Sequence, residues 1–253
     1  MTGERVTAAI LIIGDEILSG RTQDTNTQTL ARFLGVRGIE VIEVRVVPDE
    51  TDRIVEAVNT LRAQADYLFT TGGIGPTHDD ITADAVAKAF GAPLPENAQA
   101  VALLQGRYPG DELNAARRRM ARIPEGGTLI ANPVSVAPGF QIENVFVLAG
   151  VPSIMTGMLE DVGPRLKGGK PVVSRTLRVE GVGEGTLAEP LATVARAHRD
   201  LSLGSYPFFD AEARPYGSNL VVRGRSEGEV TAVLDALESV LRAAGVETIS
   251  RPD

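Results

Sequence analysis

The stretch Tyr67-Leu68-Phe69-Thr70-Thr71-Gly72-Gly73-Ile74-Gly75-Pro76-Thr77-His78-Asp79-Asp80 reads as a buried strand running into a glycine-rich polar loop. A helical pattern from about Ile81 to Phe90 follows and Gly91 stops it, so the order is strand, Gly-rich loop, helix, the order of a phosphate cradle. Two glycines after Thr71 let backbone N–H groups approach an anion without Cβ interference. Thr77 adds a hydroxyl donor. Asp79 and Asp80 beside an anion make chemical sense mainly if a cation mediates. Mg²⁺, which takes carboxylates and water and can orient an attacking water, suits that role. Two alternatives stay open: an Asp acting as general base, and simple capping of the helix that begins near Ile81.

Upstream, Ala8-Ala9-Ile10-Leu11-Ile12-Ile13 is a continuous apolar run closed by Gly14, the pattern of a strand buried on both faces and hence of a parallel sheet. Leu30, Phe33 and Leu34 recur at helical spacing, with Gly38 as the expected C-cap, and Ile39 to Val47 is a second strand. Asp49 is placed to cap a helix carrying Ile54, Val55, Val58 and Leu61. Downstream, 95–122 reads as two helices broken at Tyr108-Pro109-Gly110, Val145 to Ala149 as a strand, and the chain then as a helix to about Leu166.

Lys167-Gly168-Gly169-Lys170-Pro171 marks the boundary between a domain over 1–168 and a smaller α+β domain over 169–253. The second holds strands at Arg175–Val182, Leu203–Phe208 and Asn219–Arg223 and helices at Thr186–Ala197 and Glu227–Ala244, with Arg251-Pro252-Asp253 frayed.

The 253 residues are 43% hydrophobic and 23% charged, ordinary for a globular chain. A net charge of −8 and an aromatic share of 4% argue against a nucleic-acid partner, yet leave room for a small phosphorylated ligand held by amides, helix ends and a cation. The absence of Cys excludes disulfides and thiolate chemistry. The apolar run at Ala8–Ile13 is far shorter than a signal segment or a membrane span, so the expectation is a cytoplasmic protein with no membrane partner.

Gly14-Asp15-Glu16 and Asp24-Thr25-Asn26 follow the first strand and Asp49 follows the second, so several strand ends deliver acidic or amide groups to one edge of the sheet. Asn132-Pro133, Ala137-Pro138-Gly139 and Gly150-Val151-Pro152-Ser153 add tight turns that could close a pocket. His78 reads as solvated, and with His198 the only other histidine, a multi-histidine zinc site is not available. Arg117-Arg118-Arg119 fan over about 200° of a helix, so at most one or two can face a phosphate, and a solvated basic face is expected. Ser135 and Ser153 lack a Ser-His-Asp context.

These blocks together, with Val47-Pro48-Asp49, Thr71 to Thr82, Asn132-Pro133-Val134 and Ala137-Pro138-Gly139-Phe140, resemble the MoaB/Mog-type molybdopterin-binding superfamily, and within it the N-terminal domain of CinA. The resemblance covers about residues 7 to 166; the second part is similar to the small α+β domain that follows in CinA. It implies a three-layer α/β/α fold on a mostly parallel sheet, a pocket for a phosphorylated pterin or nucleotide, and a homo-oligomer. Mog-type proteins adenylylate molybdopterin, whereas CinA-type domains and the related domain of FAD synthases are associated with metal-dependent hydrolysis of ADP-ribose or FAD pyrophosphate. The resemblance implies Asp15, Glu16, Asp49, Asp79 and Asp80 as catalytic groups, the last two as metal ligands. It implies Asn26, Thr71, Gly72, Gly73, Gly75, Thr77, Pro138, Gly139 and Ser153 as ligand-binding. The chain departs from the CinA pattern at Met120 (commonly Gln), Ser135-Val136 (Gly-Thr) and Ile154 (Glu); the Ile154 departure keeps a non-catalytic ligand-binding regulatory module open beside the two enzyme readings, and nicotinamide-nucleotide deamidation is not carried over.

Overall fold

The computed structural model describes residues 5–209 and 216–252, and the chain divides into two compact units, Met1–Gly169 and Lys170–Asp253. The first unit runs β1 (Val6–Ile13), α1 (Asp15–Leu18), α2 (Asn26–Gly35), β2 (Ile39–Val47), α3 (Thr51–Gln64), β3 (Tyr67–Thr71) and α4 (Thr82–Phe90). It continues with α5 (Ala98–Arg107), α6 (Ala115–Arg118), β4 (Thr128–Ile130), β5 (Gly139–Ile142), β6 (Val145–Leu148) and α7 (Pro152–Val162).

Its strands form one sheet in the order β2-β1-β3-β6-β5-β4. β2, β1, β3 and β6 are parallel, whereas β5 runs antiparallel to β6 and β4 antiparallel to β5. The apolar run of β1 explains the layering. Ala9, Leu11 and Ile13 pack on the side of Ile54 and Leu61 from α3 and Val86 from α4. Ala8, Ile10 and Ile12 pack on the opposite side with Leu30 and Leu34 from α2 and Met155 and Met158 from α7. Side chains alternate across a strand, so one uninterrupted apolar run serves two cores, each buried Leu or Ile contributing roughly 1.5–3 kcal/mol. Phe69 of β3 stacks on Phe146 of β6 at 5.0 Å between centroids, which pins the middle of the sheet.

Several local expectations are corrected. Asp49 does not cap α3: the N-cap is Glu50, and the Asp49 carboxylate accepts from the Asp15 N–H instead. α2 ends at Gly35, three residues before the left-handed Gly38. Only α5 of the two helices read in 95–122 is long; its Asn97 cap accepts from two amides, and beyond Tyr108 the chain breaks into α6 and 3-10 turns. β4 and β5 were not anticipated, because they are short and lie among turn-forming residues. Gly91 does end α4, at φ 61.

The second unit comprises β7 (Val173–Glu180), α8 (Glu184–Ala197), β8 (Ser202–Phe209), β9 (Tyr216–Gly224), α9 (Glu227–Ala243) and β10 (Ile249–Ser250). Its antiparallel sheet has the order β10-β7-β9-β8, and Leu177, Leu220 and Val222 pack against Leu187, Val230 and Leu237. Arg251 is not frayed: its guanidinium holds Asp235 at 2.6 Å and Glu238 at 2.7 Å on α9, while Asp253 lies outside the described residues. Among the described residues no helix is long and apolar enough to cross a membrane.

Candidate functional site

β1 lies between β2 and β3, so the chain leaves β1 toward one side of the sheet and reaches β3 on the other. Loops diverge at the carboxyl ends of such strands and open a crevice there. A cavity of about 600 Å³ occupies that position, within the usual range for a ligand pocket. The ends of all four parallel strands are tied around it: Gly14 N–H donates to Val47 O (3.2 Å), Gly72 N–H to Leu148 O (3.3 Å), and the Asn26 amide to Gly150 O (2.7 Å).

Of the expected site residues, Glu16, Asp49, Gly72, Gly73, Gly75, Asp79 and Asp80 line this cavity, together with Gly14, Asn132, Gly150 and Pro152. Asp15, Asn26, Thr71, Thr77, Pro138, Gly139 and Ser153 do not. Each has a visible structural place. Asp15 donates its N–H to Asp49 at 3.0 Å, and Thr71 is buried within β3. Pro138 lines a separate cleft of about 20 Å³ behind the loop, room for about one water. A Cβ on Gly139 would stand 2.3 Å from Val147 O, so that glycine serves sheet packing. Ser153 is an exposed residue of the first turn of α7.

The glycine-rich loop is built differently from a simple phosphate cradle. A Cβ on Gly72, at φ +105, would lie 2.0 Å from Ile13 O, so glycine is required there for β1 and β3 to approach. Its N–H is spent on Leu148. Gly75 N–H donates to Asp80 Oδ1 (2.7 Å), and Thr77 N–H and Oγ1 donate to Asp80 Oδ2 (2.8 and 2.5 Å). The amides of this turn therefore do converge on an anion, and the anion is the Asp80 carboxylate. Asp80 is neither the cap of α4, whose N-cap is Ile81 without a side-chain bond, nor a carboxylate with an oxygen free of protein donors. The N–H groups of Gly73 and Ile74 donate to no other protein group among the described residues, nor do those of Ser153 and Ile154 at the start of α7. Backbone donors from a left-handed turn and from a helix N-terminus thus remain open beside one cavity.

The opposing feature is acidic. Burial raises the pKa of Asp49, the Asp15 N–H lowers it, and the neighbouring Asp15, Glu16 and Asp79 charges raise it further. The Thr77 hydroxyl is the main influence that holds Asp79 below the ordinary carboxylate range, with the Asp79 backbone amide and His78 adding to it. The single Thr77 proton lies nearest Asp80. His78 is solvated, its side chain 98% exposed. Among the described residues no three His, Asp or Glu side chains are grouped as a ready-made metal cage.

The arginine run is expected from its helical fan to be a solvated face, yet two of its members belong to the site region. Arg117 lines the large cavity, and Arg119 donates to Asp80 O at 3.2 Å; Arg118 alone turns away, paired with Glu96. The fan of directions along the helix carried that signal. Met120, Ser135 and Ile154, three positions at which the resemblance to CinA implies a departure, all line the cavity.

A mostly parallel sheet wrapped on both faces by helices, with a cavity at the strand ends, defines the class of a doubly wound α/β protein carrying a smaller antiparallel unit. Residues 9–168 match the family described as a probable molybdopterin binding domain, and the chain belongs to that family. Residues 171–249 match the FAD synthase middle domain. A protein of Archaeoglobus fulgidus is 32% identical over 232 residues, 92% of this chain and 96% of the relative. A CinA-like protein of Crocosphaera subtropica is 33% identical over 267 residues, 98% of this chain but 62% of that protein. The crystal structure of CinA, of unknown function, from Thermoplasma acidophilum superposes with a TM-score of 0.61 at 34% identity, covering 64% of this chain and 98% of that one.

Proposed function

We propose that this chain binds a phosphorylated ligand in the cavity at the strand ends and hydrolyses the pyrophosphate bond of an ADP-ribose- or FAD-like dinucleotide with a divalent cation. The observation that carries the reading is Asp49, a half-buried carboxylate whose affinity for a proton is raised on the wall of a cavity that also offers unspent backbone donors. Mutual repulsion among Asp49, Glu16 and Asp79 is what a divalent cation relieves, and a Mg²⁺ site of one or two carboxylates completed by substrate phosphate and water needs no all-protein cage. The residues fit such an ion in that form, with Asp79 and Glu16 as its holders. Asp80, engaged by Gly75 and Thr77, is assigned to shaping the loop.

When bound, such an ion supplies charge neutralisation on the phosphates and a more acidic water. The chain's own residues do the rest. The Gly73 and Ile74 amides and the first turn of α7 orient one phosphate. Asp49 takes the proton of the attacking water as its oxygen bonds to phosphorus and the bridging P–O bond breaks, giving AMP and a second phosphate monoester. The match of residues 171–249 to a FAD synthase domain favours FAD among the substrates.

Incubation of the purified protein with ADP-ribose or FAD and Mg²⁺, Mn²⁺ or Co²⁺ is expected to yield AMP; no AMP from any pairing contradicts the reading. The family description favours a second reading, molybdopterin binding or adenylyl transfer. Mass spectrometry of the native protein distinguishes it, through a co-purifying pterin and ATP-dependent adenylylation.

A further inference from the structure

Building on the phosphate-binding reading above, we infer that Arg117 grips a second phosphate of the ligand, so that the cavity selects pyrophosphate-bridged ligands over monophosphates. Among the described residues that line the cavity, the charged side chains are Glu16, Asp49, Asp79, Asp80 and Arg117. An anionic ligand entering this wall of carboxylates needs a compensating cation, and Arg117 is the lining side chain that has one.

Its neighbours are spent on carboxylates: Arg118 on Glu96, and Arg122 on Asp84 through two bonds of 2.9 and 2.7 Å, with Arg119 at 3.9 Å from the same Asp84. Arg117 has no carboxylate partner among the described residues. It is held by neutral groups instead. Nη1 donates to Glu112 O at 2.5 Å, and the guanidinium lies 4.3 Å over the ring of Tyr108, which itself lines the cavity. The Asn114 side chain accepts from the Arg117 N–H and fixes its place at the start of α6. A carbonyl and an aromatic face orient a guanidinium without neutralising it, and the remaining N–H groups keep the planar fork that matches a phosphate. The open amides of Gly73 and Ile74 serve one phosphate, and Arg117 serves the next.

The test is calorimetric titration without metal, using AMP as the one-phosphate probe and ADP-ribose as the two-phosphate probe. Arg117→Gln is expected to weaken ADP-ribose by about ten- to a hundredfold, the worth of a charge-assisted hydrogen bond, and to leave AMP unchanged. Arg117→Lys keeps charge but not the fork and falls between. Tyr108→Leu reproduces part of the selective loss and Tyr108→Phe does not, which serves equally if Arg117→Gln lowers the unfolding temperature. Equal losses for both probes, or no loss for either, overturn the inference. If the metal-free protein binds neither probe, the same comparison is made with Mg²⁺ present; a wild-type protein that binds neither probe in either condition overturns it together with the phosphate-binding reading. A selective loss in a protein that releases no AMP upholds Arg117 and removes only the hydrolysis.

Discussion

Asp80 Oδ1 accepts the Gly75 N–H at 2.7 Å, so the carboxylate that closes the glycine-rich loop is the anion around which that loop is wound. Asp80→Ala leaves the Gly75 and Thr77 donors without their acceptor, at about 1–3 kcal/mol. Chemical denaturation is expected to show that loss, and ligand affinity to fall with it. Unchanged stability would mean that the loop holds its shape without Asp80.

Asp49 gives a pH dependence with a definite sign. Its pKa is raised in the folded chain, chiefly by burial, so the native state holds this proton more tightly than the unfolded chain does. Stability contributed by the protonated form is full below the ordinary aspartate range and is lost as pH rises through the raised value. Asp49→Asn has no charge to bury and keeps an acceptor for the Asp15 N–H. It is expected to melt higher than the wild type at neutral pH, to converge with it in acid, and to abolish turnover. A variant less stable at neutral pH contradicts this.

Gly72 and Gly20 both have positive φ, yet they differ in surroundings: a Cβ on Gly72 meets Ile13 O at 2.0 Å, and one on Gly20 meets nothing within 4 Å. Gly72→Ala is therefore expected to cost on the order of 3 kcal/mol and Gly20→Ala about 1 kcal/mol. Equal losses in urea unfolding would show that backbone conformation alone sets the cost.

Val136 stands at φ 70 between Ser135 and Ala137, two residues of the cavity wall. A β-branched side chain is strained there. Val136→Gly is expected to stabilise the protein by about 1 kcal/mol after the entropic cost of glycine, visible as a higher unfolding temperature. A lower one would place the favourable packing of the Val136 side chain above the strain.

The parallel half of the fold was legible because its signals are local: an unbroken apolar run at Ala8–Ile13, strand-like Tyr67–Thr71, and Gly91 where α4 needs a left-handed residue. The antiparallel β4 and β5 were not, since three or four residues cannot display a period and their pairing is decided by distant partners. The loop was recognised as polar and glycine-rich, but not that its Gly75 and Thr77 amides are spent on its own Asp80. That depends on how the chain turns back over five residues, which composition does not encode. Asp49 read as a cap for the same reason; its acceptor role toward Asp15 is a contact between two strand ends. The helical fan correctly limited how many of Arg117, Arg118 and Arg119 face the cavity, but only the partners of each could say which.

A crystal structure with ADP-ribose bound tests the central claim most directly. The account predicts one phosphate within hydrogen-bond distance of the Gly73 and Ile74 N–H groups and the first turn of α7, with the pyrophosphate bridge beside Asp49. A ligand bound elsewhere, or with its phosphates away from both that turn and Asp49, would contradict it.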